Sequence, residues 1–290
     1  MLTMSKLKVI MAALALIFAA GSAYAAAPQN KVPSCYAANP KIGQKAPVPQ
    51  RWLYLVVDQT VMLDDNLKQS LADIVKHNLQ PGMGFSVFSF SAFSQGRYMD
   101  HLATGILETT ITDKKVRDDV SVPALQKFDA CMKGQYGYGL KLALDSVGKA
   151  LQASSADLAK SDVISSLTEI SHLVKENPVK NKQILLVSDM LENSTISSFY
   201  AKNAVRKVDA EKELKTVEAN HLLGDFAGAG VYVMGAGMMP EQKDVKDKNV
   251  QYRDPKTLAA LKQFWEGYFS RSNAKLEEFG APELLSPIQW

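Results

Sequence analysis

Continuous apolar runs alternate along the chain with segments whose apolar residues recur every three to four positions. The runs at 52–57, 183–187 and 230–235 contain mostly β-branched, aromatic and leucine residues, as is typical of strands buried on both faces. The segments 63–79 and 161–174 show the spacing of amphipathic helices. Such alternation predicts an α/β fold of three layers, in which helices flank a mostly parallel central sheet.

Weaker patterns predict the remaining elements. Phenylalanines alternate with serines at 84–90 and predict a second strand, and 105–111 predicts a third. Glycines 134, 137 and 139 are expected to break the polar segment before a helix at 140–151, leaving a turn or a binding loop around Tyr136 and Tyr138. The later expectations are a mostly helical stretch at 196–223, a helix at 256–270 begun by Asp254 and Pro255, and a short strand at 276–279.

A dense aromatic cluster lies in the helix expected at 256–270. It comprises Phe264, Trp265, Tyr268 and Phe269. Core packing is the expected role of these side chains, and a partner surface is the alternative.

The first residues have the pattern of a secretory leader. Lys6 and Lys8 precede an uncharged apolar run at 9–20, and Ala23 and Ala25 then provide the small residues of a signal-peptidase site. A membrane anchor is the alternative, but this run is about 12 residues long and a spanning helix needs about 20. We therefore expect export through the Sec pathway to the periplasm, with secretion as a further possibility.

Cleavage after the leader divides the chain into three parts. We expect a signal peptide at 1–25, an extended proline-rich segment at 26–50 and a single α/β domain at 51–290. In an oxidising compartment, the cysteine pair Cys35 and Cys131 predicts one disulfide, and two free thiols are the alternative.

Composition and charge narrow the functional classes. The chain has 290 residues, of which 47% are hydrophobic and 22% charged, so it is neither disordered nor disulfide-dense. The formal charge is +3 from 33 basic and 30 acidic residues, and it becomes +1 when Lys6 and Lys8 leave with the leader. A nearly neutral protein has no general attraction to nucleic acid. No later run is apolar and long enough to predict a transmembrane segment after removal of the leader.

Two aspartates follow two of the predicted buried strands. Asp58 ends the run at 52–57, and Asp189 comes directly after the run at 183–187 and Ser188. Ligands of open α/β sheets bind beyond the carboxyl ends of parallel strands, so these carboxylates are candidates for a shared Mg²⁺ or Ca²⁺ site. Hydroxyl oxygens are available nearby in Thr60, Ser161, Ser188 and Ser194. The alternative role of both aspartates is to cap turns at strand ends.

The sequence from the strand into Asp58, Gln59, Thr60, Val61 and Met62 resembles the opening of a von Willebrand factor A domain, a family whose metal-ion-dependent adhesion site begins Asp-x-Ser-x-Ser. That family later uses a threonine before a helix and an aspartate after a central strand. Ser161 with Asp162 resembles the former, and the stretch 184–189 resembles the latter. The resemblance spans residues 51–280.

This resemblance implies a binding module of the exported type and not an enzyme. An Mg²⁺ ion, or Mn²⁺ or Ca²⁺, would be held directly or through water by Asp58, Thr60, Ser161 and Asp189, and a carboxylate of a protein partner would complete its shell. Met62 stands where the family has its second serine, and a thioether is a poor ligand for a hard ion. A site without metal is therefore the alternative expectation.

Two other functional classes are consistent with the same residues. A periplasmic metal-dependent phosphoesterase would use Asp58 and Asp189, but the sequence shows no partner base or nucleophile for it. A structural component of an envelope complex would need neither a bound metal nor a catalytic group. A haloacid-dehalogenase-type phosphatase is excluded because Thr60 replaces the second aspartate of that motif, and glycines 235 and 237 lack the third glycine of a dinucleotide loop.

Overall fold

The structure is a computed structural model and describes residues 29–94, 97–154, 161–201, 204–238 and 254–290. Within these ranges the chain forms one six-stranded, mostly parallel sheet between two layers of helices, as the apolar pattern predicts. The leader predicted at 1–25 lies outside the described residues.

Eight strands and seven helices occur in the described part of the chain. The strands are β1 (Arg51–Asp58), β2 (Met83–Ser94), β3 (Arg97–Leu107), β4 (Asn181–Val187), β5 (Tyr200–Ala201), β6 (Ala204–Val205), β7 (Ala229–Met234) and β8 (Ala274–Phe279). The helices are α1 (Cys35–Ala38), α2 (Asp65–Asn78), α3 (Lys114–Asp118), α4 (Val122–Gln152), α5 (Val163–Glu176), α6 (Ala210–Ala219) and α7 (Pro255–Arg271).

The sheet has the strand order β3-β2-β1-β4-β7-β8, and only the β2–β3 pair is antiparallel. The chain moves outward from β1 on one side, then returns to β4 and continues outward on the other side. The direction of winding therefore reverses between β1 and β4. In doubly wound sheets this reversal leaves a crevice at the carboxyl ends of the two strands, where ligands bind.

Successive residues of β1 enter two different cores, because neighbouring side chains in a strand point to opposite faces. Trp52, Tyr54 and Val56 pack on the side of α5, α6 and α7. Leu53 and its alternate neighbours pack on the side of α2 and α4. Burial on both faces explains why this strand is a continuous apolar run in the sequence.

The N-terminal segment covers the outer edge of the sheet. The Lys31 N–H donates to the Thr104 carbonyl of β3 at 2.8 Å, and the Cys35 N–H donates to the buried Glu108 carboxylate at 2.8 Å. Cys35 and Cys131 form the predicted disulfide, which confirms that expectation. Residues 35–38 form a short helix, and 40–42 form a 3-10 turn, so the segment is less extended than its prolines predict.

The predicted interruption at 134–139 is wrong, because α4 runs without a break from Val122 to Gln152. Tyr136 and Tyr138 are therefore helical residues and form neither a turn nor a binding loop. Each interior glycine costs a helix about 1 kcal/mol, but tertiary packing outweighs this propensity. At Gly139 the missing side chain is required, since a β-carbon would lie 2.3 Å from Leu107 Cδ2 on β3.

The expectation of helix over most of 196–223 is also wrong. Helix α6 occupies only Ala210–Ala219, and an antiparallel ribbon of β5 and β6 precedes it. Serine side chains bind the backbone locally here, because the Ser194 hydroxyl accepts from the Ile196 N–H at 3.1 Å. Such bonds compete with helical hydrogen bonding.

The hairpin of β2 and β3 differs in length from the prediction. Strand β2 extends to Ser94, and β3 spans Arg97–Leu107 and not 105–111. The register shifts between Val87 and Phe88. A shift of this kind interrupts the strict alternation from which the strands were predicted.

The aromatic cluster of α7 belongs to the core, as predicted. Phe264, Trp265, Tyr268 and Phe269 are fully buried, and Phe199 packs edge-on against Phe264 at a centroid distance of 5.0 Å. None of the helices in the described ranges has the length and apolar character needed to cross a bilayer.

We expect glycine replacements in α4 to have opposite effects on stability. Gly139→Ala should lower the free energy of unfolding by about 1 kcal/mol or more, because the new methyl group overlaps the buried Leu107. In Gly137→Ala the new methyl group lies in open space, so this variant should raise the free energy of unfolding by about 0.5–1 kcal/mol. Urea unfolding of both variants measures the difference, and equal effects would contradict the close packing of α4 against β3.

Replacement of both cysteines by serine should cost about 4–5 kcal/mol of unfolding free energy, because the bond closes a loop between residues 96 positions apart. Chemical denaturation of the double variant tests this value. Reduction of the native protein with dithiothreitol is the matched comparison and should give the same loss. A loss below about 1 kcal/mol in both samples would show that the cross-link does not constrain the unfolded chain.

Candidate functional site

The carboxylate of Asp58 ends β1 at the point where the winding of the sheet reverses. Its side chain is fully buried. Oxygen Oδ1 accepts hydrogen bonds from the Thr60 N–H at 2.9 Å and from the Thr60 hydroxyl at 2.6 Å. Thr60 thus closes a tight turn on Asp58, and the chain leaves the strand in a fixed direction.

Two further hydroxyls reach the other oxygen of Asp58 from distant parts of the chain. Ser161, just before α5, donates to Oδ2 at 3.2 Å, and Ser188, just after β4, donates to it at 2.8 Å. Three separate segments therefore meet on one carboxylate. Together with the adjacent Asp189, these residues form what we call the strand-end site: Asp58, Thr60, Ser161, Ser188 and Asp189.

Four donors occupy the Asp58 carboxylate, which offers about four lone-pair positions. Burial raises the pKa of this carboxyl group above its usual range, and the hydrogen bonds from Thr60, Ser188 and Ser161 act in the opposite direction. Because each hydroxyl donates its single proton to Asp58, its oxygen lone pairs point elsewhere. Asp58 thus fixes the orientation of three hydroxyl oxygens.

Several hydrogen bonds fix the turn that contains Asp189. Its Oδ1 accepts from the Leu191 N–H at 2.8 Å, and its Oδ2 accepts from the Tyr200 hydroxyl at 3.3 Å. The next residue, Met190, has a positive φ of 61°, which is uncommon for a side chain of this size. The indole N–H of the buried Trp265 stabilises this conformation by donating a hydrogen bond to the Met190 carbonyl at 2.9 Å.

A second buried carboxylate borders the site. Glu192 is fully buried, and its Oε2 accepts from the Ile164 N–H in the first turn of α5 at 2.9 Å. Burial raises the pKa of Glu192 to about 8, with a smaller increase from the charge of Asp162. A hydrogen bond from the Ser194 hydroxyl lowers this pKa, so the Ser194 side chain interacts with Glu192.

The structure brings together the four residues that the sequence proposed for the site. Asp58, Thr60 and Ser161 are joined by direct hydrogen bonds, and Asp189 follows Ser188 in the same turn. The side chain of Met62 is 57% exposed.

The sequence reasoning missed Tyr200 and Glu192. Glu192 carries a weak signal, because it is an acid soon after a buried strand and next to apolar residues. Tyr200 carries none, since the segment around it was expected to be helical.

The donor chemistry fits a hydrated hard cation. Mg²⁺ keeps several waters and uses one or two carboxylates together with other oxygen ligands. The strand-end site offers hydroxyl oxygens from Thr60 and Ser161 beside the carboxylates of Asp58 and Asp189. No three His, Cys, Asp or Glu side chains in the described ranges gather as a ligand group, so hydroxyls would have to contribute.

Comparisons with known proteins assign no family. No protein-family model matches the chain, and no curated protein matches it. Among solved structures, it is similar to the crystal structure of an aerotolerance-related membrane protein from Bacteroides fragilis with multiple mutations to serines. The identity is 12%, the match covers 78% of this chain and 90% of that chain, and the TM-score is 0.32, a value too low to support an inference about function.

The raised pKa of Glu192 predicts a specific pH dependence of stability. The folded state binds a proton between the ordinary value of 4.5 and about 8, whereas the unfolded state does not. The stability that this proton contributes is complete below pH 4.5 and lost as the pH rises to 8. Relative to Glu192→Gln, the native protein should lose up to about 1.4 kcal/mol per pH unit in this window.

Urea unfolding at pH 5, 6, 7 and 8 measures this difference. Glu266→Gln is the control, because it makes the same chemical change at a half-exposed position on α7. Parallel profiles for the native protein and Glu192→Gln would show that Glu192 does not take up a proton on folding.

Proposed function

We propose that this protein is an exported, non-catalytic module that binds another protein through the strand-end site. The observation that carries the proposal is the convergence of hydroxyls from three chain segments on the buried Asp58 carboxylate. This convergence lies at the reversal between β1 and β4, where doubly wound folds bind their ligands. A module of this kind would act in the periplasm or outside the cell.

We further propose that a divalent cation, Mg²⁺ or alternatively Mn²⁺ or Ca²⁺, takes part in this binding. Thr60 and Ser161 would present their hydroxyl oxygens to the ion, while Asp58 orients both hydroxyls and contributes negative charge. Asp189 would act directly or through water. When bound, the ion supplies a positive charge that can accept a carboxylate of the partner.

The hydrogen-bond pattern supports binding over catalysis. Activation of a nucleophile pairs one hydroxyl with one base, which a third group orients. Here Asp58 instead accepts from Thr60, Ser161 and Ser188 together. The Ser188 hydroxyl also accepts from the Met190 N–H at 2.9 Å, which ties it to the turn. These contacts fix the loops in place, and this arrangement supports a binding role.

Export is supported by the leader pattern at 1–25 and by the disulfide between Cys35 and Cys131. Disulfides of this kind form and persist in oxidising compartments. A nearly neutral charge after cleavage agrees with a protein partner and gives no support to nucleic-acid binding.

Cation binding should stabilise the folded protein. At 100 times its dissociation constant, an ion that binds only the folded state adds about 2.7 kcal/mol to the free energy of unfolding. Thermal unfolding with increasing Mg²⁺, Mn²⁺ or Ca²⁺, against a chelator control, measures this effect. We expect a saturable shift that is lost in Asp58→Asn and in Asp189→Ala.

Asp73→Ala provides the matched control, since Asp73 lies on the exposed side of α2 and pairs with Lys76. This variant should keep the full ion-dependent shift. An unchanged melting temperature with every ion would contradict the cation part of the proposal. Equal shifts in the native protein and both site variants would place the bound ion elsewhere.

A further inference from the structure

The phenol of Tyr200 is an additional hydroxyl at the strand-end site. Its oxygen lies 3.3 Å from Asp189 Oδ2 and donates a hydrogen bond to it. Burial, followed by the negative charges of Asp189 and Asp58, raises the pKa of Tyr200 far above its usual range. The phenol therefore stays protonated and neutral, and both carboxylates of the site act on it.

The chain around Tyr200 is built to hold this side chain in place. The preceding residue, Phe199, is fully buried against Phe264 and Trp265 of α7. Neighbouring side chains of an extended segment point in opposite directions, so anchoring Phe199 in the core turns Tyr200 toward Asp189. The Phe199 N–H donates to the Glu192 carbonyl at 2.8 Å, which fixes the segment against the turn after β4.

The other side of the ribbon is also fixed. Arg206 donates from Nε to the Ser198 carbonyl at 2.6 Å and forms an ion pair with Glu213 at 2.7 Å. Its guanidinium group stacks over the Phe199 ring at 5.5 Å. Tyr200 therefore approaches the site from a braced segment.

Hydroxyls from different segments of the chain contact the two carboxylates of the site. Thr60 and Ser161 supply two hydroxyls on the side of Asp58. The Tyr200 phenol is a hydroxyl from a distant segment on the side of Asp189.

We propose that Tyr200 is a positioning residue of the strand-end site, and that its hydroxyl orients the Asp189 carboxylate for a cation. The inference rests on the proposed cation binding. Tyr200 holds Asp189 Oδ2 in one orientation without adding charge to the site. Residues that orient metal-ligating carboxylates in this way typically change metal affinity 10- to 100-fold when they are removed.

The test uses Mn²⁺ alone as the probe. Its affinity for the purified protein is measured by electron paramagnetic resonance of the free ion and by titration calorimetry. Tyr200→Phe removes only the hydroxyl and should weaken Mn²⁺ binding about 10- to 100-fold. Tyr54→Phe is the matched control. It removes the hydroxyl of a buried tyrosine in β1, which accepts a hydrogen bond from Asn177, and this variant should bind Mn²⁺ as the native protein does.

A positioning role and a structural role predict different results. Loss of a positioning hydroxyl lowers the Mn²⁺ affinity and leaves the fold unchanged, whereas loss of a structural hydroxyl changes both. Near-ultraviolet circular dichroism of each variant shows that the fold is retained, so that a lost affinity is not a lost structure.

The outcomes distinguish this inference from the proposed function. Native affinity in Tyr200→Phe would overturn the role of Tyr200 and leave the cation site standing. Weak Mn²⁺ binding together with a changed near-ultraviolet spectrum in Tyr200→Phe would overturn the positioning role, because the hydroxyl would then act on the structure. Absence of Mn²⁺ binding in the native protein and in every variant would overturn both the cation site and the role of Tyr200.

Discussion

The burial of the Asp58 carboxylate is the constraint on which the surrounding structure depends. A carboxylate removed from water is strongly unfavourable unless hydrogen bonds replace its hydration. Thr60, Ser161 and Ser188 provide those bonds and come from three different segments of the chain. The end of β1, the start of α5 and the end of β4 are therefore fixed relative to one another. The candidate binding face is a consequence of the same requirement.

The turn after β4 connects this face to the aromatic core. Met190 has an unusual backbone conformation, and the indole of Trp265 on α7 bonds its carbonyl. Trp265 is itself held among aromatic rings that include Phe199, the neighbour of Tyr200. Packing of α7 thus positions both the turn that carries Asp189 and the ribbon that carries Tyr200. A binding site on rigid elements of this kind needs little reorganisation when a ligand arrives.

Sequence patterns were most informative where one periodicity covers a whole element. They predict the buried strands β1, β4 and β7 and the helices α2, α5 and α7, because the apolar residues of each element follow a single period. Failures occurred where a tertiary contact opposes local preference. Helix α4 contains glycines that favour a break, but its packing against Leu107 keeps it continuous. The ribbon of β5 and β6 forms where helix was expected, next to Phe199, whose side chain is buried in the core.

The sequence by itself determined the α/β class and the two aspartates at strand ends, and it predicted the pairing of Cys35 with Cys131. Each follows from a local or compositional rule: apolar period, cysteine number, and the position of an acid after a buried run. Only the tertiary structure decided which hydroxyls meet Asp58 and that Tyr200 reaches Asp189. Those contacts join residues far apart in the chain, and their formation depends on how whole elements pack, which no local pattern records.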